Sequence, residues 1–94
     1  MKTVITKTNK GHRVWVKGLT DKYGWAVGAR YNVVYTDDAI FLVSDSEGKR
    51  AVCKGKGGIV DLESKKVTRW ANGATTATVA ATPDHSKIIV IAGA

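Results

Sequence analysis

The sequence predicts a mostly β fold: a small, closed or nearly closed barrel made of two pseudo-symmetric repeats, each with one short helix. Three observations predict it. Trp25-Ala26-Val27-Gly28-Ala29 returns later as Trp70-Ala71-Asn72-Gly73-Ala74. Short alternating apolar stretches flank both copies, separated by Gly, Asp, Asn and Pro clusters, which is how strands and turns are written. The chain has 94 residues, 44% of them apolar, enough for one domain with a modest core. A unit this short cannot bury its own apolar face, so two copies should pack against each other. Repeat one runs over about 12–44, a connecting hairpin and Gly-rich joint over about 45–58, and repeat two over about 59–91. Closure into a barrel removes most exposed strand edges.

Each element has a local reason. Thr3-Val4-Ile5-Thr6 reads as a short strand, and Asn9-Lys10-Gly11-His12 as a turn. Arg13 to Lys17 alternates and reads as the second strand. Gly18 to Gly24 holds at most about two helical turns. Leu19 and Tyr23 share one face of that helix and can plug a barrel end, with Gly24 suited to its C-cap. Arg30 to Thr36 and Ala39 to Ser44 form a hairpin across Asp37-Asp38. Tyr31, Val33 and Tyr35 lie on one face with Ile40 and Leu42. The opposite face carries Val34, Phe41 and Val43, so the N-terminal strand or a strand over Lys49 to Lys54 should cover it; left uncovered, it would mark a protein interface. Gly55-Lys56-Gly57-Gly58 reads as a flexible joint. The second copy then runs as a strand (Ile59 to Leu62), a short helix (Ser64 to Arg69, with Ser64 as N-cap), and strands over Ala74 to Thr82 and Lys87 to Ile91. Pro83-Asp84-His85-Ser86 is the turn between the last two.

The formal net charge is +7, unevenly spread. Basic residues crowd the stretches before and into each Trp motif, whereas Asp37, Asp38, Asp45 and Glu47 crowd the first hairpin. If a two-fold axis relates the repeats, the basic segments lie together as one positive face. Such a face attracts polyphosphate through counterion release. The one cysteine, Cys53, cannot form an internal disulfide, which fits a reducing cytoplasm. No signal peptide is visible, and no apolar stretch is long enough to span a bilayer.

Residues 12–44 carry a further pattern: Arg13-Val14-Trp15-Val16, a helix over Leu19 to Tyr23, then Gly24-Trp25-Ala26-Val27-Gly28, Tyr31 to Tyr35, Asp37-Asp38 and Ile40-Phe41-Leu42. This resembles the swapped-hairpin superfamily of AbrB-like regulators, MazE-type antitoxins and SymE-like proteins. Lys17-Gly18 before Leu19 is closest to the SymE-like variant. Residues 59–91 match more loosely, with Arg69 where the first motif Gly stands. The resemblance implies a swapped-hairpin (AbrB-like) barrel, here with both copies in one chain, as a monomeric pseudo-dimer or a homodimer. It also implies a DNA-contacting role for Arg13.

Basic content and resemblance together point to a protein that binds double-stranded DNA, as a transcriptional regulator or antitoxin. The residues expected to hold phosphates are Arg13, Lys17 and Lys22 from the first copy and Lys65, Lys66 and Arg69 from the second, extended by Lys54 and Lys56. The alternative is a phage-type or antitoxin-like inhibitor of a nucleic-acid enzyme, docking through Val34, Phe41, Val43, Asp37 and Asp38. No catalytic constellation is visible: Asp37-Asp38 reads as a solvated turn, and His12 and His85 as separate turn residues. No metal or cofactor is expected, since one Cys and two His at these spacings match no ligand pattern. Trp25 and Trp70 read as core at the barrel ends. Trp15, between Val14 and Val16, either stacks on bases beside Arg13 and Lys17 or covers the hairpin's outer face.

Overall fold

Alternation decides the strands. Val14 and Val16 face inward from one strand, Val60 and Leu62 from the strand beside it, and none of the four is more than 1% exposed. A computed structural model describes residues 1–93 as ten elements. They are β1 (Lys2–Thr8), β2 (Gly11–Val16), α1 (Leu19–Tyr23), β3 (Arg30–Tyr35), β4 (Ile40–Ser44), β5 (Arg50–Ala51), β6 (Val60–Ser64), α2 (Lys65–Ala71), β7 (Thr76–Ala81) and β8 (Lys87–Ala92). All named strand pairs are antiparallel, in the order β5-β3-β4-β8-β7-β1-β2-β6. The two ends of that order meet where Cys53 and Ile59 exchange backbone hydrogen bonds of 2.8 and 3.0 Å, which nearly closes the barrel. Its core is a single apolar cluster including Leu19, Tyr31, Leu42, Val67 and Ile88, flanked by Trp25 and Trp70.

The pairing scheme has an internal exchange symmetry. Swapping β1–β2–α1–β3–β4 for β5–β6–α2–β7–β8 leaves it unchanged: β2 pairs with β6 and β4 with β8, while β1 meets β7 as β5 meets β3. The helices consequently cap opposite ends. At one end, α1 lies beside the 55–58 segment and the β7–β8 turn, where Tyr23 packs edge-on against His85. At the other, α2 packs on β2 and β6, and Thr68 shares a 2.7 Å hydrogen bond with His12.

Caps explain the helix limits. Ser64 accepts from the Lys66 amide and starts α2, and Asn72 ends it in the left-handed region. Gly24 ends α1 in the same way. No side chain caps the start of α1. Instead the carbonyls of Lys56, Gly58 and Gly57 accept from the Gly18, Leu19 and Thr20 amides. Gly55 to Gly58 is therefore a fitted cap rather than the flexible joint expected from its composition.

Three other expectations are corrected. The strand over Lys49 to Lys54 shrinks to Arg50–Ala51, because the chain changes neighbours there: Val52 bonds to Ala29 on the β3 side, and Cys53 to Ile59 on the β6 side. The acidic residues do not share one tip. Asp37 and Asp38 sit in the β3–β4 turn near α2, whereas Asp45 and Glu47 follow β4 at the α1 end. Finally, neither β1 nor β5 covers the outer face of the β3–β4 hairpin. β1 is inserted between β2 and β7, leaving Val34 48% exposed and Phe41 and Val43 half-buried.

Candidate nucleic-acid interface

The β2·β6 ladder organises the basic residues. Register sets Arg13 opposite Glu63 and Trp15 opposite Asp61. The Arg13 guanidinium lies 3.2 Å from both carboxylates, through Nη2 to Glu63 and Nε to Asp61. Only the Glu63 contact is a hydrogen bond; the Asp61 contact is close but misaligned. Half-exposed pairs of this kind contribute about 0.2–1 kcal/mol each. They do neutralise Arg13, so the residue assigned a DNA contact by resemblance is already engaged within the barrel.

Trp15 lies on the same outer face. Arg13 Cζ is 5.6 Å and Lys17 Nζ 5.3 Å from its ring centroid. The indole thus holds two cations in place along the strand. A cleft of about 450 Å³ opens beside it, bordered by Lys2, Thr3, Val4 and Thr6 of β1.

The remaining predicted cations divide between the two ends of the ladder. Lys17, Lys22, Lys54 and Lys56 belong to the α1 end, and Lys65, Lys66 and Arg69 to α2; all seven are exposed. They do not merge into the one continuous face expected from the sequence, because strand β2 runs from one helix to the other. Among the described residues, Arg13 makes the only ion pairs. All but one of the 15 basic side chains therefore lack an acidic partner among the described residues.

A second cleft, of about 700 Å³, separates α2 from the end of β3 and its turn. Tyr35, Asp37, Lys66, Arg69, Trp70 and Asn72 border it, and Lys66 Nζ sits 5.7 Å from the Tyr35 ring centroid. Sequence reasoning placed Lys66 and Arg69 on the helix but missed Tyr35 and Asp37 as their neighbours, which only the fold of the hairpin over α2 brings there. Among the described residues the indole N–H of Trp70, like that of Trp15, is buried without an acceptor, a condition that costs about 1–3 kcal/mol. Trp25 differs: at the opposite end its Nε1 donates to the His85 carbonyl at 2.7 Å. Both rings are 6% exposed, as their reading as core requires.

Cys53 is exposed, and its thiol donates to the Ala51 carbonyl at 3.8 Å. Among the described residues no cluster of His, Cys, Asp and Glu has the geometry of a metal site. No helix there is long and apolar enough to cross a membrane. No family model matches the chain, and neither does any curated protein or solved structure.

Proposed function

We propose that the protein binds nucleic acid, duplex DNA foremost, as a single-chain regulator or antitoxin of the swapped-hairpin type. One observation carries this reading: among the described residues every basic side chain but Arg13 is exposed and free of an acidic partner, and seven of them stand at the two ends of one ladder. Five residue steps along β2 cover roughly 17 Å, comparable with a DNA major groove of about 12 Å plus its flanking phosphates. Lys17 and Lys22 would then hold one phosphate strand and Lys65, Lys66 and Arg69 the other. Arg13 and Trp15 would lie over the groove between them.

Anisotropy of a short fluorescent duplex, titrated at several salt concentrations, tests this. Log affinity should fall linearly with log salt, by about 0.9 per neutralised phosphate. The triple change Lys65→Ala, Lys66→Ala, Arg69→Ala should flatten that slope by about two to three. Arg13→Ala should matter less than Lys66→Ala, since Asp61 and Glu63 already offset Arg13. Absence of binding at about 50 mM salt would remove the proposal.

A protein-binding role is favoured by a different feature. Val34, Phe41, Ile89 and Ala80 are register neighbours across β3, β4, β8 and β7, and form an outward apolar row. An inhibitor docking through this row would hold its enzyme at high salt, where phosphate contacts fail.

A further inference from the structure

The two barrel ends present the same indole to different surroundings. At the α1 end the β7–β8 connection, residues 82–86, reaches over Trp25 and supplies the His85 carbonyl. At the α2 end the β3–β4 connection, residues 36–39, is one residue shorter, and the Trp70 N–H finds no acceptor among the described residues. Trp70 also borders the 700 Å³ cleft. Its border joins an aromatic ring (Tyr35), two exposed cations (Lys66 and Arg69), a buried donor (Trp70) and two polar groups, Asp37 and Asn72.

We propose that this cleft holds one unpaired nucleotide. A base carbonyl takes the Trp70 N–H, the base lies against Tyr35, and the phosphate meets Lys66 and Arg69. The Lys66 ammonium now over the Tyr35 ring is the group the base displaces toward the phosphate. The Trp70 N–H is buried, so its pairing with the base requires the cleft wall to shift as the ligand enters. The ring stacks as bases do on aromatic platforms, the cations supply the charge, and the buried N–H gains the acceptor it lacks. Asp37 repels a second phosphate at the rim, which limits occupancy to one. The nature of the ligand rests on the reading of the protein as a nucleic-acid binder; the cleft's geometry does not.

Binding is measured for three probes: thymidine 5′-monophosphate, a short single-stranded oligothymidine, and a blunt duplex containing it. Trp70→Phe keeps the ring and removes the donor, and Tyr35→Leu removes the aromatic platform at a half-buried position outside the duplex-contacting set, so the second variant serves if the first fails to fold. Single-strand affinity should fall about fivefold in each variant, with duplex affinity changed less than twofold by Trp70→Phe. Unchanged single-strand affinity in both variants overturns the assignment, and leaves salt-dependent duplex binding standing. Variant-sensitive binding of the monophosphate alone supports the cleft with a free nucleotide as its source, and removes the duplex reading instead. Failure of all three probes to bind the unaltered protein overturns both.

Discussion

Asp84 shows how much one exposed carboxylate can organise. Its Oδ1 accepts from the Ser86 amide at 3.0 Å, the Thr82 hydroxyl at 2.8 Å and the Ser86 hydroxyl at 2.9 Å. These bonds, the Ser86 amide foremost, lower its pKa from an ordinary 3.8 to about 2. A depressed carboxylate stabilises the fold above its ordinary pKa, and that contribution disappears as pH falls through the folded value. The β7–β8 turn should therefore loosen between about pH 4 and pH 2, freeing the Trp25 indole from the His85 carbonyl. Trp25 emission followed on acidification should show this step, and Asp84→Asn should abolish it; identical profiles would refute the role. At the alkaline side Tyr31 behaves oppositely. Burial, partly offset by Arg50, raises its pKa above 10, so its neutral form supports the fold. Stability should decline as pH rises beyond that value, and less so in Tyr31→Phe, by melting measured across the alkaline range.

At the scale of elements, the helix α1 depends on a segment more than 30 residues away in sequence. Gly58 has φ +93, and a Cβ there would stand 3.0 Å from the backbone nitrogen of Thr20. Gly73 has a similar φ of +87 but open space around it. Both substitutions to Ala incur left-handed strain of about 1 kcal/mol, but only Gly58→Ala also pushes α1 off its cap, for a total of about 2–3 kcal/mol. Thermal melts should rank the two in that order; equal shifts would mean that the segment does not hold the helix. The same contrast marks what the sequence makes legible. Strands with one buried face, such as Val14-Trp15-Val16, carry their period openly, and Ser64 and Gly24 announce helix ends by residue type. β5 is shorter than its sequence suggests because alternation says nothing about a chain that changes neighbours between Val52 and Cys53. The candidate site was legible as a set of cations but not as an arrangement. Asp61 and Glu63 reach Arg13 only through the β2·β6 register, and Tyr35 reaches Lys66 only through the hairpin's position over α2. Such relations are properties of pairing between distant segments and leave no local pattern.

For the whole molecule, the circular strand order has a thermodynamic consequence. β1 lies between β2 and β7, and the chain after β5 bridges to Ile59 just before β6, so each half keeps only its own hairpins and loses four ladders if the other unravels. The seam β4·β8 joins the halves through Leu42 and Ile88, which are register partners and fully buried. Unfolding should thus be a single transition seen equally from both ends. Trp25 and Trp70 report those ends. With Trp15→Phe and one of the two replaced by Phe, each single-indole variant should give a fluorescence midpoint that coincides with its own circular-dichroism midpoint. Adding Leu42→Ala should lower stability by about 2–5 kcal/mol, because a buried leucine at the seam leaves a cavity, and it should move both indole signals together. A variant in which Trp25 and Trp70 melt at separate denaturant concentrations would show two independent halves. In that event the cations at the two ends of the β2·β6 ladder would no longer be held at a fixed spacing, and a groove-spanning contact with duplex DNA would lose its physical basis.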